Sequence, residues 1–376
     1  MKKNICFIST SRADFSYIIN LINKISKINN FNLDIILSGS HFSKSFGNTY
    51  KDILKNKTYR IHKIKFNFNK NDFKNLMNFS SEIFKNLDKI FTRIKPDCMV
   101  VLGDRFEVTL FCVAAILRKI KIIHIGGGEK TFGSADNYFR NAISQMSDLH
   151  FVSTLKSKKN LINIGLKKNN IHQIGSLSIE NIKKYNFYSK NYLEKKFKIK
   201  FARYTVLIVY HPNTIKNDTK KEINCILQSI DKLKNINFIF NSPNFDEDSL
   251  ELQKKINNFV NKKKNCFFVN SFGVKYYFSI LKQVDLIMGN SSSGIIEAPS
   301  LGTYSLNLGE RQKGREQSLT ILNSNFDNNE ILSNINRSLN IVRKRLNIVN
   351  PYYKSNSSNL FTNQLIKYLN KNEKTS

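Results

Sequence analysis

Short apolar runs alternate along this chain with longer segments of helical period, and this alternation constrains the fold more than any other feature. In the first half, the runs that predict strands are residues 4–9, 33–38, 98–103, 121–125, 150–152 and 172–174. The second half repeats the pattern at residues 204–210, 236–241, 266–269 and 286–289. Strands separated by helices form parallel sheets with helices on both faces. We therefore predict an α/β protein of two Rossmann-like, doubly wound domains with a cleft between them.

The length of the chain agrees with two domains of ordinary size. With 376 residues it is too long for one small core. A segment rich in Lys, Tyr and Asn at residues 183–200 separates the halves and predicts a helix with a connector. The predicted domains span residues 1–180 and 181–355.

The net charge of +32 allows two interpretations. The lysines are scattered singly and in pairs instead of forming one basic stripe with interleaved aromatic residues. This distribution favours a lysine-biased surface that can steer an anionic substrate, and we expect no nucleic-acid partner. A non-catalytic protein that binds nucleic acid or another anionic surface is the least favoured alternative.

The cysteines and the apolar runs indicate the cellular compartment of the protein. Five cysteines show no CxxC or Cys/His metal spacing, which favours a reducing environment and indicates no metal site. No apolar run has the length of a membrane span, and the N-terminal run is too short for a signal peptide. We expect a cytoplasmic protein that needs no cofactor and does not insert into a membrane.

Polar motifs follow the predicted strands at the points where those strands end. In the first half they begin at Thr10, Gly39, Gly103 and Gly126, and in the second half at His211 and Asn290. Ligands of open parallel sheets bind outside the carboxyl ends of the strands. These motifs therefore predict the binding surfaces.

The turn after the last of these strands predicts a phosphate site. It reads Asn290, Ser291, Ser292, Ser293, Gly294, followed by Glu297. Small residues let backbone N–H groups approach an anion, and hydroxyls add donors. Glu297 lies one turn further on and can accept from ribose hydroxyls. The alternative is an ordinary serine-capped turn.

Three carboxylates are candidates for proton transfer. Asp104 ends an apolar strand, Glu129 follows three glycines, and Asp136 begins a helical pattern with Arg140 four residues later. Each has a plainer alternative: a helix cap for Asp104, a surface turn for Glu129, and an exposed ion pair for Asp136.

Four further side chains are candidates for contacts with a ligand. His211 ends the first strand of the second half, and the guanidinium forks of Arg12 and Arg311 suit phosphate or carboxylate. Tyr277 can stack on a base. A simple His-Pro turn and a core aromatic are the alternatives for His211 and Tyr277.

With these residues assembled, the chain resembles the hydrolysing UDP-N-acetylglucosamine 2-epimerases of the sialic-acid and legionaminic-acid pathways. It resembles the non-hydrolysing 2-epimerases more distantly. The resemblance runs through nearly the whole chain. The matching elements are Ser11 to Asp14, Gly39 to Ser43, Phe46 to Thr49, Gly103 to Glu107, Gly127 to Glu129, Asp136 with Arg140, His211-Pro212, Asn290 to Ser300, and Gly309 to Arg315.

The resemblance implies the glycosyltransferase-B architecture, a homodimer, and a final helix at about residues 356–372 that packs back on the first domain. It implies that Asp104, Glu129 and Asp136 are the acid/base carboxylates. The positions that it assigns to substrate or UDP are Arg12, His41, Arg140, His211, Tyr277, Asn290, Ser291, Ser292, Ser293, Gly294, Glu297 and Arg311.

The implied reaction is elimination of UDP from UDP-N-acetylglucosamine through a glycal, followed by hydration to free N-acetylmannosamine. Such a product serves sialic-type acid or surface polysaccharide biosynthesis. The alternatives are the same chemistry on a UDP- or GDP-linked 2,4-diacetamido-2,4,6-trideoxy sugar, and a non-hydrolysing epimerase or glycosyltransferase of the same fold.

The sequence departs from the family pattern beside the carboxylates. Gly126 replaces the second histidine of the usual His-Ile-His-Gly-Gly-Glu, and Asn137 and Asn141 replace Glu and His. Ser144 and Gln145 stand where Thr and Lys are common. We expect from these exchanges that the immediate surroundings of the carboxylates are altered, which favours a different N-acylated sugar or reduced activity.

Overall fold

The computed structural model describes residues 2–42, 50–54, 58–65, 76–212, 218–242, 249–341 and 348–372. The motif residues Ser43 and Phe46 to Thr49 lie outside this part of the chain. The strands are β1 (Lys3–Ser9), β2 (Phe31–Leu37), β3 (Arg60–Lys63), β4 (Cys98–Leu102), β5 (Lys121–Ile125), β6 (Leu149–Val152), β7 (Ile171–Gln173), β8 (Thr205–Val209), β9 (Asn237–Asn241), β10 (Cys266–Val269), β11 (Leu286–Gly289), β12 (Tyr304–Leu308) and β13 (Ile321–Ser324).

Helices connect these strands. They are α1 (Arg12–Ile25), α2 (Tyr50–Ile53), α3 (Leu76–Ile94), α4 (Phe106–Leu117), α5 (Asp136–Gln145), α6 (Leu155–Asn163), α7 (Leu177–Lys183), α8 (Lys190–Phe197), α9 (Thr219–Asp231), α10 (Ser249–Val260), α11 (Val274–Gln283), α12 (Ser292–Ile296), α13 (Ala298–Leu301), α14 (Asn328–Ile341) and α15 (Ser357–Asn372).

The strands form two parallel sheets, as the alternation predicted. The first sheet has the order β3-β2-β1-β4-β5-β6-β7, and the second has the order β10-β9-β8-β11-β12-β13. In the first sheet the order reverses between β1 and β4, and in the second between β8 and β11. Helices on either side of such a reversal diverge, which leaves a crevice at the carboxyl ends of the two strands. The two-domain α/β fold is thereby confirmed.

All ten predicted strands are present within a residue or two of their expected bounds, but three strands were missed. β3 lies at the edge of the first sheet, while β12 and β13 lie on one side of the second. The sequence of β3, Arg-Ile-His-Lys, is mostly polar because the strand is half exposed. In β12 and β13, Ser and Asn interrupt the apolar pattern.

Strand β1 shows how the period of two builds the first core. Ile5 and Phe7 pack on one face of the sheet with the helices α1 and α15, and Cys6 and Ile8 pack on the other face with α3 and α4. Successive side chains of a strand point to opposite faces, so a strand that is apolar throughout needs helices on both sides. The run that begins at Asn4 therefore could not have been a surface strand.

The last helix, α15, belongs to the core of the first sheet. Phe361, Leu365 and Leu369 lie in the same apolar cluster as β1 and α1. The ring of Phe361 lies 4.1 Å from that of Phe151 on β6, centroid to centroid. The chain thus returns to its first sheet after it has formed the second.

The chain divides into two compact units. The N-terminal unit contains Met1–Glu129, Asp136–Asn181 and Lys354–Ser376, and the C-terminal unit contains Lys130–Ala135 and Ile182–Tyr353. The short insertion Lys130–Ala135 had no signal in the sequence. Within the C-terminal unit, Phe132 donates from its backbone N–H to the carbonyl of Lys313 at 3.1 Å.

A search of the described helices for a membrane span gives a negative result: none combines sufficient length with sufficient apolar character.

Truncation of Phe361 to alanine should lower the free energy of unfolding of the N-terminal unit by about 3–5 kcal/mol, because the fully buried ring leaves a cavity against Phe151. Urea unfolding followed by circular dichroism measures the change. Leu319→Ala is the matched control, since its side chain is 92% exposed and should change stability little. Equal midpoints for the two variants would contradict the placement of α15 in the core.

Candidate active site

The first candidate binding surface lies where β1 and β2 end. Arg12 begins α1, behind the capping residue Ser11, whose side chain accepts from the N–H of Asp14. His41 is fully buried, and its Nε2 lies 2.9 Å from Ser9 Oγ. The contacts of Arg12 and His41 with a substrate remain predictions.

Asp104 follows β4 on the other side of the strand-order reversal. It is not the helix cap that its position also allowed, because α4 begins at Phe106 with Arg105 as its N-cap and has no side-chain cap bond. The carboxylate of Asp104 instead pairs with the guanidinium of Arg140, and a quarter of the Asp104 side chain is exposed to solvent. The capping alternative for Asp104 is therefore wrong, and its role in proton transfer remains a prediction.

Arg140 connects two of the three candidate carboxylate loops. Its side chain is 1% exposed, with Nη2 on the carboxylate of Asp104 and Nη1 donating to the carbonyl oxygen of Glu129 at 2.9 Å. A buried guanidinium needs such partners, because leaving its donors unpaired costs several kcal/mol. Arg140 therefore fixes the ends of β4 and β5 to the helix α5. Its predicted contact with the substrate remains a prediction.

The glycine run before Glu129 has two different roles. Gly126 has φ +87°, and a Cβ added there would meet only the backbone N of Gly103, at 4.0 Å. Gly128 has φ +76°, and its added Cβ would lie 2.2 Å from the carbonyl oxygen of Ser157. Gly128 is thus required for packing, whereas Gly126 leaves open space beside the loop of Asp104.

His124, two residues before Gly126, was not among the predicted site residues. It is fully buried, with Nε2 2.8 Å from the carbonyl oxygen of Gly103 and Nδ1 3.1 Å from Ser144 Oγ. Burial lowers its pKa to about 3, so the ring is neutral at neutral pH. The hydroxyl of Ser144 therefore takes part in a hydrogen bond. Ser stands here where Thr is common, and because both residues carry a hydroxyl, this exchange does not remove the contact.

The second candidate binding surface lies at the reversal between β8 and β11. Asn290 Oδ1 accepts from the N–H of His211 at 2.8 Å, and Asn290 Nδ2 donates to the carbonyl oxygen of His211, also at 2.8 Å. Both side chains are buried. One amide thus holds both polar atoms of the His211 backbone and fixes the ends of the two strands together.

The serine turn is built by its own hydroxyls. Ser291 is the N-cap of α12 and its side chain accepts from the N–H of Ser293. The hydroxyl of Ser293 also contacts the hydroxyl of Tyr277, so Tyr277 is placed beside the turn. The capped-turn alternative is therefore correct as local structure, and it leaves phosphate binding as a prediction.

The helix after this turn is short. α12 contains five residues, and α13 begins immediately beyond its C-cap, Glu297. A helix of so few residues contributes little dipole, so donors for an anion would have to come from backbone N–H groups and hydroxyls. The side chain of Glu297 is 6% exposed.

The loop of residues 309–315 supports the serine turn from a second direction. Arg311 Nη1 and Gln312 Nε2 both donate to the carbonyl oxygen of Asn290, at 3.2 and 2.9 Å. Gln312 was missed in the sequence because an amide without a charge gives no signal for a phosphate site. The charge of Arg311 joins burial in holding the pKa of His211 at about 3.

Close packing explains two glycines of this surface. Gly289, the last residue of β11, has φ +136°, and an added Cβ would lie 2.1 Å from the carbonyl oxygen of Val209. An added Cβ at Gly294 would lie 2.6 Å from Ser305 Oγ. The strand end and the turn therefore need residues without side chains here.

A search for metal sites finds no group of three or more His, Cys, Asp or Glu side chains among the described residues that could hold an ion.

Comparison with known proteins gives one family. The sequence profile of the family described as UDP-N-acetylglucosamine 2-epimerase matches residues 23–366. The hydrolysing GDP/UDP-N,N'-diacetylbacillosamine 2-epimerase of Campylobacter jejuni is 37% identical over 329 residues, which are 87% of this chain and 85% of that protein. The polysialic acid biosynthesis protein P7 of Escherichia coli is 32% identical over 361 residues, covering 94% of this chain and 91% of P7.

Solved structures agree in fold. The UDP-GlcNAc 2-epimerase of Neisseria meningitidis, solved with UDP-GlcNAc, superposes with a TM-score of 0.80. The superposition covers 98% of this chain and all of that one at 19% identity. This similarity shows the fold alone.

Stability should fall as the pH is lowered below about 6.5. Burial lowers the pKa of His150 to about 4, and those of His124 and His211 to about 3. Between these values and 6.5 the unfolded chain binds protons that the folded chain does not. Each histidine then costs up to about 1.4 kcal/mol of stability per pH unit of acidification.

Thermal unfolding at pH 7.5, 6.5 and 5.5 and constant ionic strength measures this dependence. His150→Phe should flatten it, because one buried proton acceptor is removed outside the strand-end motifs. His172→Phe should flatten it less, since His172 is half-buried. A dependence that His150→Phe leaves unchanged would contradict a neutral buried imidazole at this position.

Proposed function

This chain belongs to the UDP-N-acetylglucosamine 2-epimerase family, and from that premise we propose that it is a hydrolysing 2-epimerase of UDP-linked N-acetylhexosamines. The substrate that we propose first is UDP-N-acetylglucosamine, with free N-acetylmannosamine and UDP as products. The proposal rests on the 2-epimerase family and on the hydrolysing type of the Campylobacter jejuni relative at 37% identity.

The observation that carries the proposal is the bridge made by Arg140. It binds the carboxylate of Asp104 and the backbone of Glu129, and it lies one helical turn after Asp136. The three acid/base candidates are therefore fixed to one buried cation and one helix. Proton transfer from a weakly acidic carbon needs such positioned groups, because a misplaced base loses most of its effect.

The first step of the proposed reaction is elimination. One carboxylate removes the proton from C2 of the sugar, and the electrons of the C2–H bond form a C1=C2 double bond. The electrons of the C1–O bond leave with the β-phosphate oxygen of UDP, which gives a glycal and UDP.

The second step is hydration of the glycal. Water adds its oxygen to C1 and loses a proton to a base, while an acid delivers a proton to C2 on the opposite face. The sum is one water consumed, with a free sugar inverted at C2 and UDP released. Asp104, Glu129 and Asp136 are the groups that we propose for these transfers.

We place the diphosphate and ribose of UDP at the second surface. The N–H groups and hydroxyls of the serine turn would meet the charge that develops on the leaving group, with Arg311 as a cationic partner. Glu297 would accept from the ribose, and Tyr277 lies beside the turn, where a base can be contacted. His211 would contribute as a neutral imidazole.

A second substrate is favoured by one observation. The usual histidine is replaced by Gly126, whose added Cβ would meet nothing nearer than 4.0 Å. Open space beside the Asp104 loop suits a bulkier sugar, such as a 2,4-diacetamido-2,4,6-trideoxy sugar linked to UDP or GDP. The Campylobacter jejuni relative, named for such a substrate, agrees with this alternative.

The setting of the enzyme is part of the proposal. A free 2-epimerised amino sugar is a precursor for nonulosonic acids of the sialic or legionaminic type, and hence for surface polysaccharides. We propose a cytoplasmic homodimer that makes this precursor. The name of the Escherichia coli relative, which refers to polysialic acid biosynthesis, agrees with the proposed product. Sedimentation of the purified protein tests the dimer.

Incubation with UDP-N-acetylglucosamine should release UDP and N-acetylmannosamine, and in deuterium oxide the product should carry deuterium at C2. Nuclear magnetic resonance identifies the sugar, and the isotope position reports proton abstraction. The UDP- and GDP-linked diacetamido sugars are assayed in parallel, and the largest kcat/KM identifies the substrate. Epimerised sugar still attached to the nucleotide would indicate a non-hydrolysing enzyme, while transfer to an acceptor would indicate a glycosyltransferase. Salt-dependent DNA binding without any sugar chemistry would support the non-catalytic alternative.

Asp104→Asn, Glu129→Gln and Asp136→Asn should each lower kcat by about 10²- to 10⁴-fold, because an amide cannot exchange the proton that the reaction moves. Steady-state kinetics and the binding of UDP by calorimetry separate chemistry from nucleotide affinity. Asp148→Asn is the matched control, since Asp148 precedes β6 at the amino end of the sheet and pairs with Lys121. If one of the three variants is as active as Asp148→Asn, the carboxylate that it lacks does not have the role assigned here.

A further inference from the structure

One face of α5 carries three polar side chains at intervals of four residues. They are Asp136, Arg140 and Ser144. Residues four apart lie one above the other on a helix. Arg140 is 1% exposed and Ser144 is fully buried, so two of the three point into the protein. A polar stripe that is buried in this way needs partners for its donors.

The partner of Ser144 is His124, and the direction of the hydrogen bonds follows from their chemistry. The carbonyl oxygen of Gly103 can only accept, so Nε2 of His124 carries the hydrogen and donates to it over 2.8 Å. In the neutral ring Nδ1 is then an acceptor. The hydroxyl of Ser144 therefore donates to Nδ1 over 3.1 Å.

This chain of bonds ends on the residue that precedes Asp104. It runs from Ser144 on α5 through His124 on β5 to the carbonyl of Gly103, and the next residue carries the carboxylate. Arg140 reaches the Asp104 carboxylate itself from the same helix face. The Asp104 loop is thus held at two points, one on its backbone and one on its side chain.

We propose that Ser144 and His124 are positioning residues for the epimerase reaction, which hold the Asp104 loop at a fixed place relative to Asp136 and the backbone of Glu129. Neither residue touches the sugar in this assignment. The inference rests on the proposed function and deepens it. It makes α5 the common support of all three carboxylates.

The close packing of Gly127 gives an independent way to disturb this contact. A Cβ added at Gly127 would lie 2.8 Å from Ser144 Oγ and 2.9 Å from His124 Nδ1. Gly127→Ala must therefore push the two groups apart while leaving both in the chain. Ser144→Ala removes the hydroxyl without adding volume, and Ser144→Thr keeps it.

The test compares these variants in the full-length protein. Ser147→Ala is the matched control, because Ser147 follows the same helix and its hydroxyl donates to the carbonyl of Ile143 instead. For each variant we measure kcat, KM, the affinity for UDP, and the kinetic isotope effect with substrate deuterated at C2.

We expect Ser144→Ala and Gly127→Ala to lower kcat by about 10- to 100-fold, the loss typical of a catalytic group displaced by about 1 Å. The affinity for UDP should stay unchanged, and the isotope effect should rise because proton abstraction becomes slower than the other steps. Ser144→Thr and Ser147→Ala should match the unmodified enzyme in kcat and isotope effect.

Two results would overturn this inference but leave the proposed function standing. One is that the unmodified enzyme is active and that Ser144→Ala and Gly127→Ala have the same kcat as the unmodified enzyme. The other is a lowered kcat with an unchanged isotope effect, which indicates fewer active molecules instead of a misplaced carboxylate. An unmodified enzyme that releases UDP from none of the tested sugars would overturn the proposed function, and the inference with it.

Discussion

The reversal of strand order within each parallel sheet is the constraint on which the rest of the structure depends. Parallel strands require crossovers, and crossovers that change direction in the middle of a sheet leave two neighbouring strand ends uncovered by helices. In the first sheet these ends carry Ser9 and Asp104, and in the second His211 and Asn290. Polar residues occupy these positions because the strands themselves are apolar and buried on both faces. Side chains that can bind or react with a ligand are therefore placed beyond the ends of the strands.

Burial decides the electrostatic character of both surfaces. Arg140 is almost completely enclosed, and a carboxylate and a carbonyl meet its donors. Burial lowers the pKa values of His124 and His211 to about 3, so both rings are neutral. A neutral imidazole has one donor and one acceptor, so the carbonyl oxygen of Gly103 fixes the direction of both hydrogen bonds of the His124 ring. Near the carboxylates, the neutral ring of His124 therefore fixes the orientation of its neighbours, and the positive charge of Arg140 attracts the carboxylate of Asp104.

The sequence predicted what depends on local pattern. Ten strands, the parallel arrangement and the position of each polar motif at a strand end follow from the alternation of apolar runs with helical segments. It could not predict β3, which is polar because it lies at an edge. Nor could it predict that the segment Lys130–Ala135 belongs to the C-terminal unit, where Phe132 bonds Lys313, 181 positions away. The roles of His124, Ser144 and Gln312 were missed for the same reason. His124 and Gln312 act through hydrogen bonds to distant backbone carbonyls, and Ser144 acts through a hydrogen bond to the side chain of His124; such bonds have no signature in the order of residues.

The place of α15 has a consequence for how the protein is made. Phe361, Leu365 and Leu369 complete the core around β1, although β1 is synthesised long before α15. Domains usually fold in the order in which they leave the ribosome. Here the C-terminal unit can finish its core before α15 is made, whereas the N-terminal unit waits, with part of an apolar sheet uncovered, until α15 has been synthesised. The part of the molecule that carries the carboxylates is thus the one that needs protection from aggregation during synthesis.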